Sequence, residues 1–284
     1  MTLPQKIAVV GAGAMGSGIA QVFASNGAEA FLVDIEDSLV QRGLQTIEKS
    51  LARFLKKEKI TQAQVGEILG RVHATTSHDC FAECELIVEA VTEDVAIKQD
   101  IFAAADQRAA AGCILASNTS SISITVLGAA TQRPDRVIGM HFMNPVPLMK
   151  LVEVIRAHAT SDETVSRVLE WSKALGKVPV EASDYPGFVS NRILLPMINE
   201  AAFCLMEGVS SREGIDEIMK LGMNHPMGPL ALADFVGIDV CVSVLDVLKD
   251  GLGDDKYRAC PLMRRMVAAG HLGRKTGRGF YEYG

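Results

Sequence analysis

The chain has 284 residues, of which 48% are hydrophobic and 22% charged, with a formal net charge of -6. This length predicts two domains of ordinary size or one large domain. An acidic balance without a basic block argues against nucleic-acid binding, and no apolar run reaches membrane length. The first residues, MTLPQKIAVV, resemble neither a secretory signal nor a transit peptide, so we expect a cytoplasmic protein with no membrane partner.

The cysteines and histidines give no indication of a metal site. The six cysteines include no CxxC pair, and the six histidines lack the short spacings that zinc ligands usually have. We therefore expect reduced thiols in the core and no bound metal.

Short β-branched runs alternate with helical patterns between residues 6 and 183. This alternation predicts an α/β fold with a parallel sheet covered by helices. After Tyr185-Pro186-Gly187 the strand pattern ends and long apolar helical stretches follow. The predicted domains are therefore residues 1–186 and an all-helical region, 187–284. The predicted strands are KIAVVG, AFLVD, ELIVEAV, CILASN, RVIGMHF, LVEVI and VPVEAS.

Residues 36–70 depart from simple strand–helix alternation. Apolar residues recur at helical spacing from Leu39 to Leu55, and Thr61 is placed to cap a second helix that begins TQAQVGEIL. This pattern predicts a helical hairpin in place of a single crossover helix.

The run KIAVVGAGAMGSGIAQ places Gly11-x-Gly13-x-x-Gly16 between a predicted strand and a predicted helix, and Asp34 ends the next strand. The glycines allow a tight turn, the approach of a pyrophosphate and close helix packing, and the acid accepts hydrogen bonds from a ribose. Because an acid there repels a 2′-phosphate, NAD is favoured over NADP. FAD is a weaker alternative because no second nucleotide motif follows.

His141 and Glu153 lie at equal distances on either side of Pro147, in GMHFMNPVPLMKLVEVI. If the flanking strands fold back antiparallel around the prolines, the two side chains share a face of the sheet. A carboxylate bonded to one ring nitrogen orients an imidazole for proton transfer at the other. The alternative is a core histidine whose hydrogen bond is purely structural.

Five segments, taken together, resemble the 3-hydroxyacyl-CoA dehydrogenase family in order and spacing. The resemblance implies a Rossmann-type NAD-binding domain with a helical-hairpin insertion, followed by an all-helical C-terminal domain that forms a homodimer. The five segments are GAGAMGSGIAQ, ASNTSS, GMHFMNPVPLMKLVEVI, DYPGFVSNRILLPMINEA and GRKTGRGFYEY.

Position by position, the resemblance also implies site residues. Considered alone, Ser120 is typical of a helix N-cap, Asn191 of an early helical position and Lys57 of a solvated helix end. The family pattern instead places Ser120 and Asn191 on the substrate and Ser50 and Lys57 on the CoA moiety. The implied catalytic residues are His141, Glu153, Ser120 and Asn191. The implied NAD-binding residues are Gly11, Ala12, Gly13, Ala14, Met15, Gly16, Asp34, Glu93, Lys98, Asn144 and Lys275.

The activity that the resemblance implies is NAD-dependent oxidation of (S)-3-hydroxybutyryl-CoA to acetoacetyl-CoA, and the reverse reduction, as part of fatty acid metabolism. Three alternatives remain open. One is a dehydrogenase of medium- or long-chain 3-hydroxyacyl-CoA. Another is an enzyme acting on a free 3-hydroxy or sugar acid, and the third is a non-catalytic homologue such as a crystallin or an NAD-binding module.

Overall fold

The computed structural model describes residues 3–284 and divides into two compact units. The first ends at Asp184 and the second runs from Tyr185 to Gly284. The predicted boundary after residue 186 falls beside this division. Each unit has its own cluster of buried apolar side chains, so each is described by itself.

An eight-stranded sheet forms the centre of the first unit, with the order β3-β2-β1-β4-β5-β6-β7-β8. Neighbouring strands are parallel except for the β6–β7 pair, which is antiparallel. The seven predicted strands are present, whereas β3 was not predicted. The strands are β1 Lys6–Val10, β2 Glu29–Val33, β3 Val72–Thr75, β4 Leu86–Glu89, β5 Ile114–Ser117, β6 Val137–Phe142, β7 Leu151–Arg156 and β8 Val178–Ser183.

The strand β3 lacks a sequence signal because it is short and mostly accessible to solvent. It has four residues, and only Val72 among them is buried. In contrast, every residue of β4, β5 and β6 is buried, as expected for strands covered on both faces.

Helices cover the sheet, and the predicted hairpin replaces one crossover. Its second helix begins with a capping box, in which Thr61 accepts from the backbone of Gln64 and the Gln64 side chain accepts from Thr61 N–H. The buried side of the first helix includes Ile47 and Leu51. The helices of this unit are α1 Ala14–Ser25, α2 Asp37–Lys56, α3 Gln62–Gly70, α4 Val95–Arg108, α5 Ile124–Gly128 and α6 Asp162–Ala174.

The second unit is helical and closes with a tail anchored by two buried aspartates. Asp234 accepts from the backbone N–H of Phe280 and Tyr281, and Asp216 accepts from the Tyr281 hydroxyl. These bonds satisfy carboxylates that would otherwise be costly to bury. The helices are α7 Ser190–Met206, α8 Arg212–Gly222, α9 Pro229–Val236, α10 Ile238–Leu252 and α11 Pro261–Ala268. Across residues 3–284, no helix has the length and apolar character needed to cross a membrane.

Candidate active site

The pair of His141 and Glu153 is formed by the antiparallel reversal from β6 to β7. The two residues are direct partners in the strand register, as the sequence predicted. His141 Nδ1 lies 2.7 Å from Glu153 Oε2, and the residues are only 8% and 3% exposed. A carboxylate can only accept, so Nδ1–H donates and the bond assigns the tautomer of the imidazole. Nε2 is then the acceptor nitrogen of the neutral ring.

The loop that joins these two strands is held by a lysine that the sequence analysis missed. Lys177 Nζ donates to the carbonyls of Val146 and Met149, at 2.5 and 2.8 Å. Burial lowers the pKa of Lys177. In the sequence, Lys177 follows Gly176 after a helix, where a lysine is ordinarily solvated, so no local pattern could have identified its role.

The glycine loop between β1 and α1 has the geometry that a pyrophosphate requires. Gly11 has a φ of +105°, and a Cβ at Gly16 would lie 1.8 Å from the Gly11 carbonyl oxygen. A Cβ at Gly13 would meet nothing within 4 Å. Gly13 is also the N-cap of α1 and offers no side chain to its first turn. The open approach and the helix N–H groups fit an anionic ligand, as NAD binding requires.

Asp34 closes the same loop from the end of β2. Its Oδ2 accepts from Ala12 N–H at 2.7 Å and its Oδ1 from Ile35 N–H at 2.8 Å. A carboxylate has about four acceptor positions, so these two bonds fix its place and leave acceptor capacity for ribose hydroxyls.

Ser120 lies in the loop after β5 and contacts Glu93. Its backbone N–H and its hydroxyl donate to Glu93 Oε1, at 2.9 and 3.3 Å. The N-cap of the following helix is Ser123, so the helix-cap interpretation of Ser120 is wrong.

Lys98 is 1% exposed and hydrogen-bonds Glu89 at 2.6 Å. The cofactor roles of Glu93 and Lys98 stay predictions.

Ser50 and Lys57 line one cavity of about 140 Å³ between the end of α2 and the loop after β6. Arg53 and Lys59 also line the cavity, and the sequence analysis did not assign them to it. Arg53 stands one helical turn before Lys57 and therefore on the same face of the helix. Three cations around one cavity favour an anionic group. The other lining residues are Arg53, Phe54, Lys59, Pro145, Pro147 and Leu148.

Three other predicted residues do not line this cavity. Asn144 is exposed in the loop after β6. Asn191 and Lys275 belong to the second unit, where Asn191 stands in the first turn of α7 and Lys275 Nζ lies 2.7 Å from Asp239 Oδ2. Their roles stay predictions.

A dinucleotide loop and a histidine–carboxylate pair on one sheet define the first unit as that of a nucleotide-dependent dehydrogenase. The family model of the 3-hydroxyacyl-CoA dehydrogenase NAD binding domain matches residues 6–185, and the model of the C-terminal domain matches residues 187–283. The chain belongs to the 3-hydroxyacyl-CoA dehydrogenase family and is an NAD-dependent oxidoreductase. The predicted family, fold, cofactor and enzyme class are thereby confirmed.

Known proteins similar to this chain cover almost all of it. A probable 3-hydroxybutyryl-CoA dehydrogenase of Deinococcus radiodurans is 57% identical, over 98% of this chain and 100% of that protein. A 3-hydroxybutyryl-CoA dehydrogenase of Clostridioides difficile is 51% identical, over 98% and 99%. The crystal structure of (S)-3-hydroxybutyryl-CoA dehydrogenase from Ralstonia eutropha aligns with a TM-score of 0.96 at 52% identity, covering 99% of each chain.

The open space at Gly13 allows a test of the cofactor position. We expect Gly13→Ala to fold with its free energy of unfolding lowered by no more than about 1 kcal/mol, because the new methyl meets no protein atom and alanine is only a poorer N-cap than glycine. Its Kd for NADH should rise at least about tenfold, because the methyl occupies the approach of the pyrophosphate. NADH titration by fluorescence and urea unfolding measure the two effects.

The control is Gly66→Ala, on the hairpin, where a Cβ also meets nothing within 4 Å. This variant should bind NADH as the wild type does. An unchanged Kd in Gly13→Ala would contradict the placement of the cofactor on this loop.

Proposed function

We propose that the enzyme oxidises (S)-3-hydroxybutyryl-CoA to acetoacetyl-CoA with NAD and catalyses the reverse reduction. The observation that carries the proposal is the 2.7 Å hydrogen bond between His141 and Glu153, which lies in the same unit as the dinucleotide loop. Similar proteins named for the four-carbon substrate, at 51% to 57% identity, support a short acyl chain.

His141 is the proposed general base and acid. In the oxidative direction its Nε2 accepts the proton of the 3-hydroxyl, and the carboxylate of Glu153 stabilises the imidazolium that forms. In the reductive direction the imidazolium returns that proton to the 3-oxygen. Bound NAD supplies the acceptor for the hydride that leaves carbon 3. The burial of both residues supports this role, because the electrostatic attraction between them is little screened by water.

Ser120 and Asn191 are the proposed donors to the substrate oxygens. A hydroxyl and an amide directed at the 3-oxygen and the thioester carbonyl would hold the substrate and stabilise negative charge that develops on oxygen.

The proposed site for the phosphates of CoA is the cavity at the end of α2. The cations Arg53, Lys57 and Lys59 line it, while Phe54 and Leu148 offer apolar surface to the rest of the ligand.

A homodimer through the second unit and a cytoplasmic location stay predictions. Exposed apolar side chains on and just after α8 support the dimer, since Ile218 is 60% exposed, Leu221 78% and Met223 62%.

The alternative of a medium- or long-chain substrate is decided by kcat/KM. The proposal expects the highest value with acetoacetyl-CoA and lower values with longer 3-ketoacyl-CoA substrates.

Replacing the base tests the proposed mechanism. In NADH oxidation with acetoacetyl-CoA, we expect His141→Asn to lower kcat by about 10²- to 10⁴-fold, because proton transfer is lost. Glu153→Gln should give a smaller loss, because the amide still accepts from Nδ1–H but no longer stabilises an imidazolium. Both variants should bind NADH normally in a fluorescence titration. Near-normal turnover by His141→Asn would refute the mechanism.

Two neighbouring lysines test the CoA cavity. Lys57→Ala should raise the KM for acetoacetyl-CoA by about two- to fivefold with kcat unchanged, because an exposed ion pair contributes at most ~1 kcal/mol. Lys56→Ala removes the same charge from the adjacent residue, which does not line the cavity. It should leave KM as in the wild type. Equal effects of both variants would indicate general electrostatic attraction and would contradict a specific site.

A further inference from the structure

We propose that Lys177 is a positioning residue for the recognition of acyl-CoA. In this assignment its ammonium fixes the loop between β6 and β7, whose outer side lines the cavity at the end of α2. The inference rests on the proposed function, because that cavity is the one we assign to CoA.

The loop of residues 143–150 has a buried side and a side that faces the cavity. Val146 is 2% exposed, whereas Leu148 is 60% exposed. Pro145, Pro147 and Leu148 line the cavity. The loop therefore presents a wall to the proposed ligand, while its central valine is buried in the protein.

Lys177 holds the buried side through two backbone carbonyls. Its Nζ donates to the oxygens of Val146 and Met149 at 2.5 and 2.8 Å, and the residue is 9% exposed. A buried ammonium needs hydrogen-bond acceptors, and both of these come from one loop. The backbone adds a further connection, because Val178 N–H donates to the carbonyl of Lys150 at 2.8 Å. The start of β8 is thus joined to the loop at three points.

The helix after the glycine loop encloses Val146 from another side. A Cβ at Gly18 in α1 would lie 2.9 Å from the Val146 Cβ, so a glycine is needed to leave room for this side chain. Leu148 N–H and Met149 N–H each donate to the Pro145 carbonyl at 3.0 Å, which makes the loop a compact turn. Release of the Val146 carbonyl would therefore loosen the cavity wall as a unit.

The proposed catalytic pair does not need this lysine for its register. His141 and Glu153 are direct partners in the antiparallel ladder, and the pair of Phe142 and Val152 stands between them and the loop. The strands thus keep the imidazole beside the carboxylate when the loop loosens. We therefore expect Lys177 to influence the KM for acyl-CoA more than kcat.

Lys177→Met tests the assignment, because it removes the donors and keeps an unbranched side chain. We expect the KM for acetoacetyl-CoA to rise about three- to tenfold, while kcat and the Kd for NADH change less than about twofold. A general structural defect would instead change all three quantities together. Calorimetric titration with free CoA should show the same loss of affinity without any turnover.

An arginine at the same position should restore recognition. Lys177 lines a cavity of about 260 Å³, so the longer guanidinium has space and can donate to both carbonyls. The KM of Lys177→Arg should lie within about twofold of the wild-type value. The matched control is Lys173→Met, which removes the same charge from an exposed position in the last turn of α6 and should leave the KM unchanged.

Two further measurements locate the effect in the loop. Amide hydrogen exchange at Leu148 and Met149 should be faster in Lys177→Met than in the wild type, irrespective of activity. Leu148→Ala removes apolar surface from the same wall and should raise the KM on its own. In the double variant the two increases should not add fully, because both act through one wall.

Three outcomes would overturn the proposal. They are an unchanged KM in Lys177→Met, an equal rise of the KM in Lys173→Met, and unchanged amide exchange at Leu148 and Met149. If Lys177→Met does not fold, Lys177→Gln, which retains a shorter donor, takes its place with the same expected split between KM and kcat. If the wild type does not turn over acetoacetyl-CoA, the proposed function fails, and the CoA titration and the exchange measurement still decide the role of Lys177.

Discussion

The hydrogen bond between His141 and Glu153 depends on one reversal of chain direction in an otherwise parallel sheet. Because β7 returns antiparallel beside β6, two residues on either side of a proline loop become direct neighbours in the register. Lys177 holds that loop by donating hydrogen bonds to two of its carbonyl oxygens. The histidine therefore has one orientation before any ligand binds, which is the preorganisation that proton transfer needs.

The carboxyl ends of the parallel strands bring the remaining groups of the first unit together. Asp34 follows β2, Glu89 ends β4 and Ser117 ends β5. Each of these polar side chains accepts a hydrogen bond from a backbone N–H of a loop that leads into a helix, so the sheet edge orders the loops that would contact the ligands.

Local patterns in the sequence predicted the features that depend on short spacing. The glycine loop, the capping box at Thr61 and the symmetry of His141 and Glu153 about Pro147 each involve one segment of chain. The proposed substrate role of Ser120 came from the resemblance to the family and not from a local pattern. Lys177 and the Glu89–Ser117 bond could not be predicted, because they join residues distant in sequence whose types are equally common at solvated positions.

The claim that Glu153 fixes the tautomer of a catalytic histidine can be measured directly by ¹⁵N NMR of the histidine-labelled protein at neutral pH. The account predicts that the neutral form of His141 carries its proton on Nδ1, and that Glu153→Gln weakens the Nδ1–H hydrogen bond. A neutral His141 protonated on Nε2 would contradict it, because the nitrogen assigned to accept the substrate proton would already be occupied.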